Sequence, residues 1–124
     1  MKRKFLLVDD DRIANIINKK VLEKFYPNHG ILQFTSGYEA ITHLAEDSSD
    51  GVEIIIFLDI NMPEMNGWEF LDRLSSDFPK ITPIVYILSS SIDWKDRKKA
   101  EDYATDGFII KPLDGEKINK LSLS

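Results

Sequence analysis

A chain of 124 residues with no cysteine can hold one core of ordinary size, without a disulfide scaffold or thiolate metal ligands. Sixteen basic against 21 acidic residues leave a formal charge of −5, which argues against a general nucleic-acid binder; 43% hydrophobic and 30% charged content is the mix of a soluble globular protein. No apolar run approaches the roughly 18 residues of a membrane span, and Phe5 to Val8 is too short for the apolar heart of a secretory signal, so the expected setting is the cytoplasm.

Phe5-Leu6-Leu7-Val8 reads as a first strand, ending in Asp9, Asp10 and Asp11. Ile13, Ile16, Ile17, Val21 and Phe25 then recur at helical spacing, with Asn15, Lys19, Lys20, Glu23 and Lys24 between them. Pro27-Asn28-His29-Gly30 breaks that helix, Ile31 to Phe34 makes a second strand, and a helix carrying Ala40, Ile41 and Leu44 follows. Ser48-Ser49-Asp50-Gly51 is a turn. The third strand is the most apolar stretch of the chain, and it runs straight into Asp59. Gly67 introduces a helix bearing Trp68, Phe70, Leu71 and Leu74. After Pro83 come a fourth strand, Ile84 to Leu88, and a charged helix from about Asp93 to Tyr103. Within that helix Lys95, Arg97, Lys98 and Lys99 read as a solvated face. A fifth strand, Phe108 to Ile110, and a short helix beyond Pro112 complete the chain; Ile118 and Leu121 are its anchors, and Gly115 is expected to weaken its first turn. Strand and helix alternate five times, and strands 1, 3 and 4 are apolar on both faces. One doubly wound α/β domain with a parallel sheet, spanning 1–124, is the expectation.

In an open parallel sheet, ligands bind beyond the carboxyl ends of the strands. Here those ends carry Asp9, Asp10 and Asp11 after strand 1, Asp59 after strand 3, Ser89 to Ser91 after strand 4 and Lys111 after strand 5. Neighbouring strands lie about 4.8 Å apart, so carboxylates on adjacent tips repel by roughly 1–4 kcal/mol per pair. Such a cluster needs a cation, and a few carboxylates with open positions suit Mg²⁺. With the Lys111 ammonium and a strand-4 hydroxyl added, the set fits phosphoryl transfer, with a carboxylate able to serve as the nucleophile.

The segments "FLLVDDD", "FLDINMPEMNGWEFL", "PIVYILSSS" and "GFIIKPLD", in that order and each at a strand end, resemble the receiver domain of two-component response regulators. The resemblance implies a flavodoxin-like five-stranded sheet of order 2-1-3-4-5 with helices on both faces. It implies Asp59 as phosphoacceptor, with Pro63 and Gly67 shaping the loop after it. Mg²⁺ would be held by Asp9, Asp10 and Asp59 and by the backbone carbonyl of Asn61. Ser89 and Lys111 would bind the phosphoryl group, Phe108 would be the aromatic switch, and Pro112 the cis-proline. Two positions depart from the common pattern: Ser89 stands where Thr is frequent, and Phe108, which has no phenol, where Tyr is frequent. Asp11 is read instead as the cap of helix 1, Ser91 as a loop residue able to line the site, His29 and His43 as surface or packing residues, and Trp94 as partly exposed on a partner-facing loop.

The function so implied is a phosphoacceptor switch rather than an enzyme. A sensor histidine kinase or histidine phosphotransfer protein would phosphorylate Asp59. A downstream protein would read the face of helix 4, strand 5 and helix 5, with no direct DNA or membrane binding. Because no output segment is seen after the receiver, a stand-alone switch is expected. A phosphorelay intermediate is the alternative within signalling. Outside it stand a small Asp-nucleophile phosphatase, which would want a carboxylate where Asn61 is, and a flavodoxin-like carrier, which would want a phosphate-cradling loop where the aspartates are.

Overall fold

The computed structural model describes residues 2–46, 51–121 and 123. Five strands, β1 (Arg3–Val8), β2 (Gly30–Phe34), β3 (Glu53–Leu58), β4 (Ile84–Ser89) and β5 (Gly107–Ile110), pair in parallel in the order β2-β1-β3-β4-β5. Between and after them come α1 (Arg12–Phe25), α2 (Gly37–Glu46), α3 (Gly67–Asp77), α4 (Trp94–Asp102) and α5 (Gly115–Asn119). The expected α/β architecture is thus present. Of the predicted turn 48–51, only Gly51 falls among the described residues, with φ at +79°; Ser48, Ser49 and Asp50 lie outside them.

Side chains alternate across the sheet and build two cores. Leu6, Val8, Ile56, Leu58, Val85 and Ile87 pack against Ala40 and Leu44 of α2 and against Phe70 and Leu74 of α3. On the other face, Phe5, Leu7, Phe57, Tyr86 and Leu88 meet Leu22 of α1 and Ile118 of α5. The register sets Val8 beside both Phe34 and Leu58, so β2, β1 and β3 end level, while β4 and β5 run on together past Leu58 to Ser89 and Ile110. Whatever follows them shares one edge.

Helix α1 corrects the sequence reading. Ile13, Ile16 and Ile17 are 68%, 49% and 50% exposed, whereas Asn15, Asn18 and Leu22 are buried. Both triads have helical spacing, so hydrophobicity alone picks the wrong one. The phase is set at the entrance. The Asp11 carboxylate caps the helix, accepting from the Ile13 and Ala14 amides at 2.9 and 3.2 Å. The Asn15 amide then meets the Asp9 and Phe34 carbonyls at the strand ends; Phe34 also accepts from the Asp9 amide, so it is the Asp9 carbonyl that an aliphatic side chain would leave without its donor. Gly115 is also more than a weak helix former, because a Cβ there would come within 2.6 Å of the Phe25 ring. Its bare backbone lets α5 close onto α1.

Candidate functional site

Asp9 and Asp59 are brought together by the sheet itself. The Asp59 amide donates to the Val8 carbonyl at 2.9 Å, and the Asp9 amide to the Phe34 carbonyl at 3.1 Å, so each residue takes one more ladder bond past its strand. Carboxylate oxygens of Asp9, Asp10 and Asp59 all lie within 4.8 Å of one another. Asp9 and Asp59 are buried and Asp10 is exposed. Asp9 Oδ1 accepts from the Asp11 amide at 2.9 Å, and Asp59 Oδ1 from the Asn61 amide at 3.3 Å.

Among the described residues, Lys111 brings a cation to this cluster. Lys111 Nζ lies 2.6 Å from Asp9 Oδ2 and 3.7 Å from Asp59 Oδ2. Its backbone amide donates to the Ser89 carbonyl at 2.9 Å, which anchors it to the end of β4, and the Lys111–Pro112 peptide that follows is cis. Burial works against the ammonium. The hydrogen bond to Asp9 and the charges of Asp59, Asp9 and Asp11 outweigh it, holding the Lys111 pKa above the ordinary lysine value. Asp59 fares worse. Burial first, and then the Asp9 charge, raise its pKa to about 6, against the opposing pull of Lys111 and of the Asn61 amide. A single ammonium placed nearer Asp9 does not balance three carboxylates. The donor set, all oxygen and short of positive charge, is what a hard divalent cation such as Mg²⁺ fits.

The loop after Asp59 is shaped by contacts the backbone makes with itself. The Gly67 amide donates to the Ile60 carbonyl at 3.1 Å, and the Met65 amide to the Pro63 carbonyl at 2.7 Å. A Cβ on Gly67 would sit 2.8 Å from both the Asp59 carbonyl oxygen and the Ile60 Cα, so α3 can start this close to the acidic residue only with glycine there. Asn66 and Glu69 close a reciprocal capping box at the start of α3, with bonds of 2.9 and 3.1 Å.

Ser89 is the last residue of β4 rather than the first beyond it, fully buried, its hydroxyl accepting from the Ser91 amide at 3.2 Å. Ser91 belongs to the entrance of α4: its hydroxyl donates to Asp96 at 2.5 Å and accepts from the Asp93 amide at 3.3 Å. Phe108 stands outside the carboxylate cluster. It lies in β5, half-buried, with the Arg97 guanidinium 5.5 Å from its ring centroid. Ring and guanidinium line a groove of about 380 Å³ that Lys117, Lys120 and Leu121 also border. The basic face of α4 is exposed, but its residues also touch neighbours. Lys98 pairs with Asp102 at 3.3 Å, and Lys99 lies 5.5 Å from the Trp68 ring centroid. Trp94 is exposed as expected, but on the first turn of α4 rather than in a loop. Asn15, read from sequence as a polar residue between apolar ones, is in fact buried beside Asp9. Spacing could not have found it, because the isoleucines of α1 recur as regularly as Asn15, Asn18 and Leu22.

The sequence model of the response regulator receiver domain matches residues 5–122, and the chain belongs to that family. Among solved structures, a two-component response regulator from Cytophaga hutchinsonii is 39% identical with a TM-score of 0.84, covering 96% of this chain and 93% of that one. A two-component response regulator from Legionella pneumophila is 30% identical with a TM-score of 0.79, covering 96% and 94%. Among curated relatives, the hybrid signal transduction histidine kinase L of Dictyostelium discoideum is 31% identical over 95% of this chain but only 7% of its own length. The transcriptional regulatory protein CrdR of Helicobacter pylori is 27% identical over 92% of this chain and 50% of its own. The chain thus spans at most half of these two curated relatives. It is a receiver domain of two-component signal transduction, a family of phosphoacceptor switches. Among the described residues no helix is long and apolar enough to cross a membrane.

Proposed function

We propose that Asp59 accepts a phosphoryl group from a phosphohistidine of a sensor histidine kinase or phosphotransfer protein, at a site where Asp9, Asp10, Asp59 and the Asn61 carbonyl hold Mg²⁺. The observation that carries this reading is the meeting of three carboxylates within 4.8 Å beside one lysine. An Asp59 oxygen attacks phosphorus, the P–N bond breaks with its electron pair returning to the imidazole, and an acyl phosphate remains. Asp59 must be ionised to attack; with a pKa of about 6 it is mostly so at neutral pH, yet more basic than an ordinary carboxylate. Lys111, held against Asp9, presents its ammonium to the incoming phosphoryl oxygens. A bound divalent ion supplies neutralisation of the charge on those oxygens.

Ser89 then gives its hydroxyl to the phosphoryl group, and Phe108 repacks in response. The groove beside Phe108, on α4, β5 and α5, is the surface a downstream protein reads. Phosphorylation shifts this equilibrium only by what it gains differentially in the two states. A protein donor must reach the strand edge where α1 begins, across the exposed Ile13, Ile16 and Ile17. Incubation with acetyl phosphate and Mg²⁺, read by intact mass, tests the assignment: wild type should take up one phosphoryl group and Asp59→Ala none. Equal uptake by the variant would overturn it.

A further inference from the structure

Asn15 is 1% exposed, yet its side-chain oxygen has no hydrogen-bond partner among the described residues. A leucine of similar volume would remove that orphan but leave the buried Asp9 carbonyl without its Asn15 donor, so stability alone does not account for the amide. Its nitrogen does. Nδ2 donates to the Asp9 carbonyl at 2.9 Å and to the Phe34 carbonyl at 3.1 Å. Both neighbours are acceptors, which fixes the orientation of the amide, because the flipped form would set oxygen against two carbonyl oxygens.

The Asp9 carbonyl belongs to the peptide plane that joins Asp9 to Asp10. The other polar groups of Asp9 are also held: its amide by the Phe34 carbonyl, Oδ1 by the Asp11 amide, and Oδ2 by Lys111. Asp10, by contrast, is exposed. What orients it is therefore the plane that Asn15 grips. Tying that plane to β2 as well as to α1 restrains the acidic turn from two sides.

Resting on the reading of Asp9 and Asp10 as metal ligands, we infer that Asn15 is a positioning residue, whose amide holds the Asp9–Asp10 peptide so that both carboxylates converge where the cation sits. It touches no reacting atom. Groups hydrogen-bonded behind metal ligands commonly set affinity by about tenfold or more. Asn18, buried one turn further along the same helix, supplies the control for a general change in α1.

The test is Mg²⁺ titration calorimetry on wild type, Asn15→Leu and Asn18→Leu, with urea unfolding of each metal-free protein and the Asp10 amide followed by NMR. Asn15→Leu should bind Mg²⁺ about tenfold more weakly and shift the Asp10 amide resonance, while its metal-free stability changes no more than that of Asn18→Leu. Asn18→Leu should do neither of the first two. Unchanged affinity in Asn15→Leu, or equal losses in both variants, would overturn the inference. If Asn15→Leu does not fold, Asn15→Ser, with its shorter side chain, carries the same expectation and the same refutation. Absence of Mg²⁺ binding by wild type would instead refute the metal site itself.

Discussion

Replacing Asp59 by Asn should make the metal-free protein more stable at neutral pH. Asn resembles the protonated acid, so the substitution removes a charge that burial and Asp9 already disfavour. The shift from 3.8 to about 6 is roughly 2 units; at about 1.36 kcal/mol per unit it corresponds to a ceiling of about 3 kcal/mol. The sign follows from proton binding. The unfolded chain releases the Asp59 proton near pH 3.8 and the folded one near 6, so between those values the native state binds more protons. Wild-type stability therefore falls as pH rises through that window and levels off above it. The advantage of Asp59→Asn should be near zero below pH 3.8 and reach its plateau above about pH 6. Urea unfolding of both proteins across pH, without divalent ions, measures it, and the difference between them cancels the other titrating groups. Saturating Mg²⁺ should shrink the gap by stabilising wild type preferentially. A pH-independent difference, or a less stable variant at neutral pH, would refute the account of strain at the site.

Lys111→Ala should act in the opposite direction at neutral pH. It leaves Asp9 and Asp59 without their cation and should cost about 2 kcal/mol in urea unfolding, less than a fully buried pair because Lys111 is partly exposed. Gly67→Ala would press a Cβ into the Asp59 and Ile60 backbone, and should destabilise by about 1–3 kcal/mol. Gly30→Ala, where a Cβ meets nothing within 4 Å, should change stability little in the same assay. Ile16→Lys should slow phosphotransfer from a histidine protein donor by about tenfold while leaving acetyl phosphate uptake unchanged; equal effects on both would show that α1 is not a donor surface.

Much of the fold was legible because strand tips and core strands send strong signals. Runs such as Ile54 to Leu58, apolar on both faces, belong only to a covered sheet, and a carboxylate at the tip of such a run marks the edge where chemistry collects. The convergence of Asp9, Asp10, Asp59 and Lys111 follows from parallel register, which short loops and alternation already implied. The orientation of α1 was not legible. Its isoleucines make an apolar stripe as regular as its buried one, and the choice between them depends on long-range partners, the Asp9 and Phe34 carbonyls, that local periodicity does not contain. The same holds for Gly115, whose reason is the Phe25 ring on another helix. β4 ends at Ser89 rather than at Leu88 because strand ends are set by pairing, here with Ile110, rather than by where the apolar run stops.

Calorimetric titration of the metal-free protein with Mg²⁺, in wild type, Asp10→Asn and Asp59→Asn, tests the central claim most directly. Cation binding at one site per wild-type chain, lost or greatly weakened in both variants, is the predicted result. Binding of the same strength in all three, or none in wild type, would contradict it.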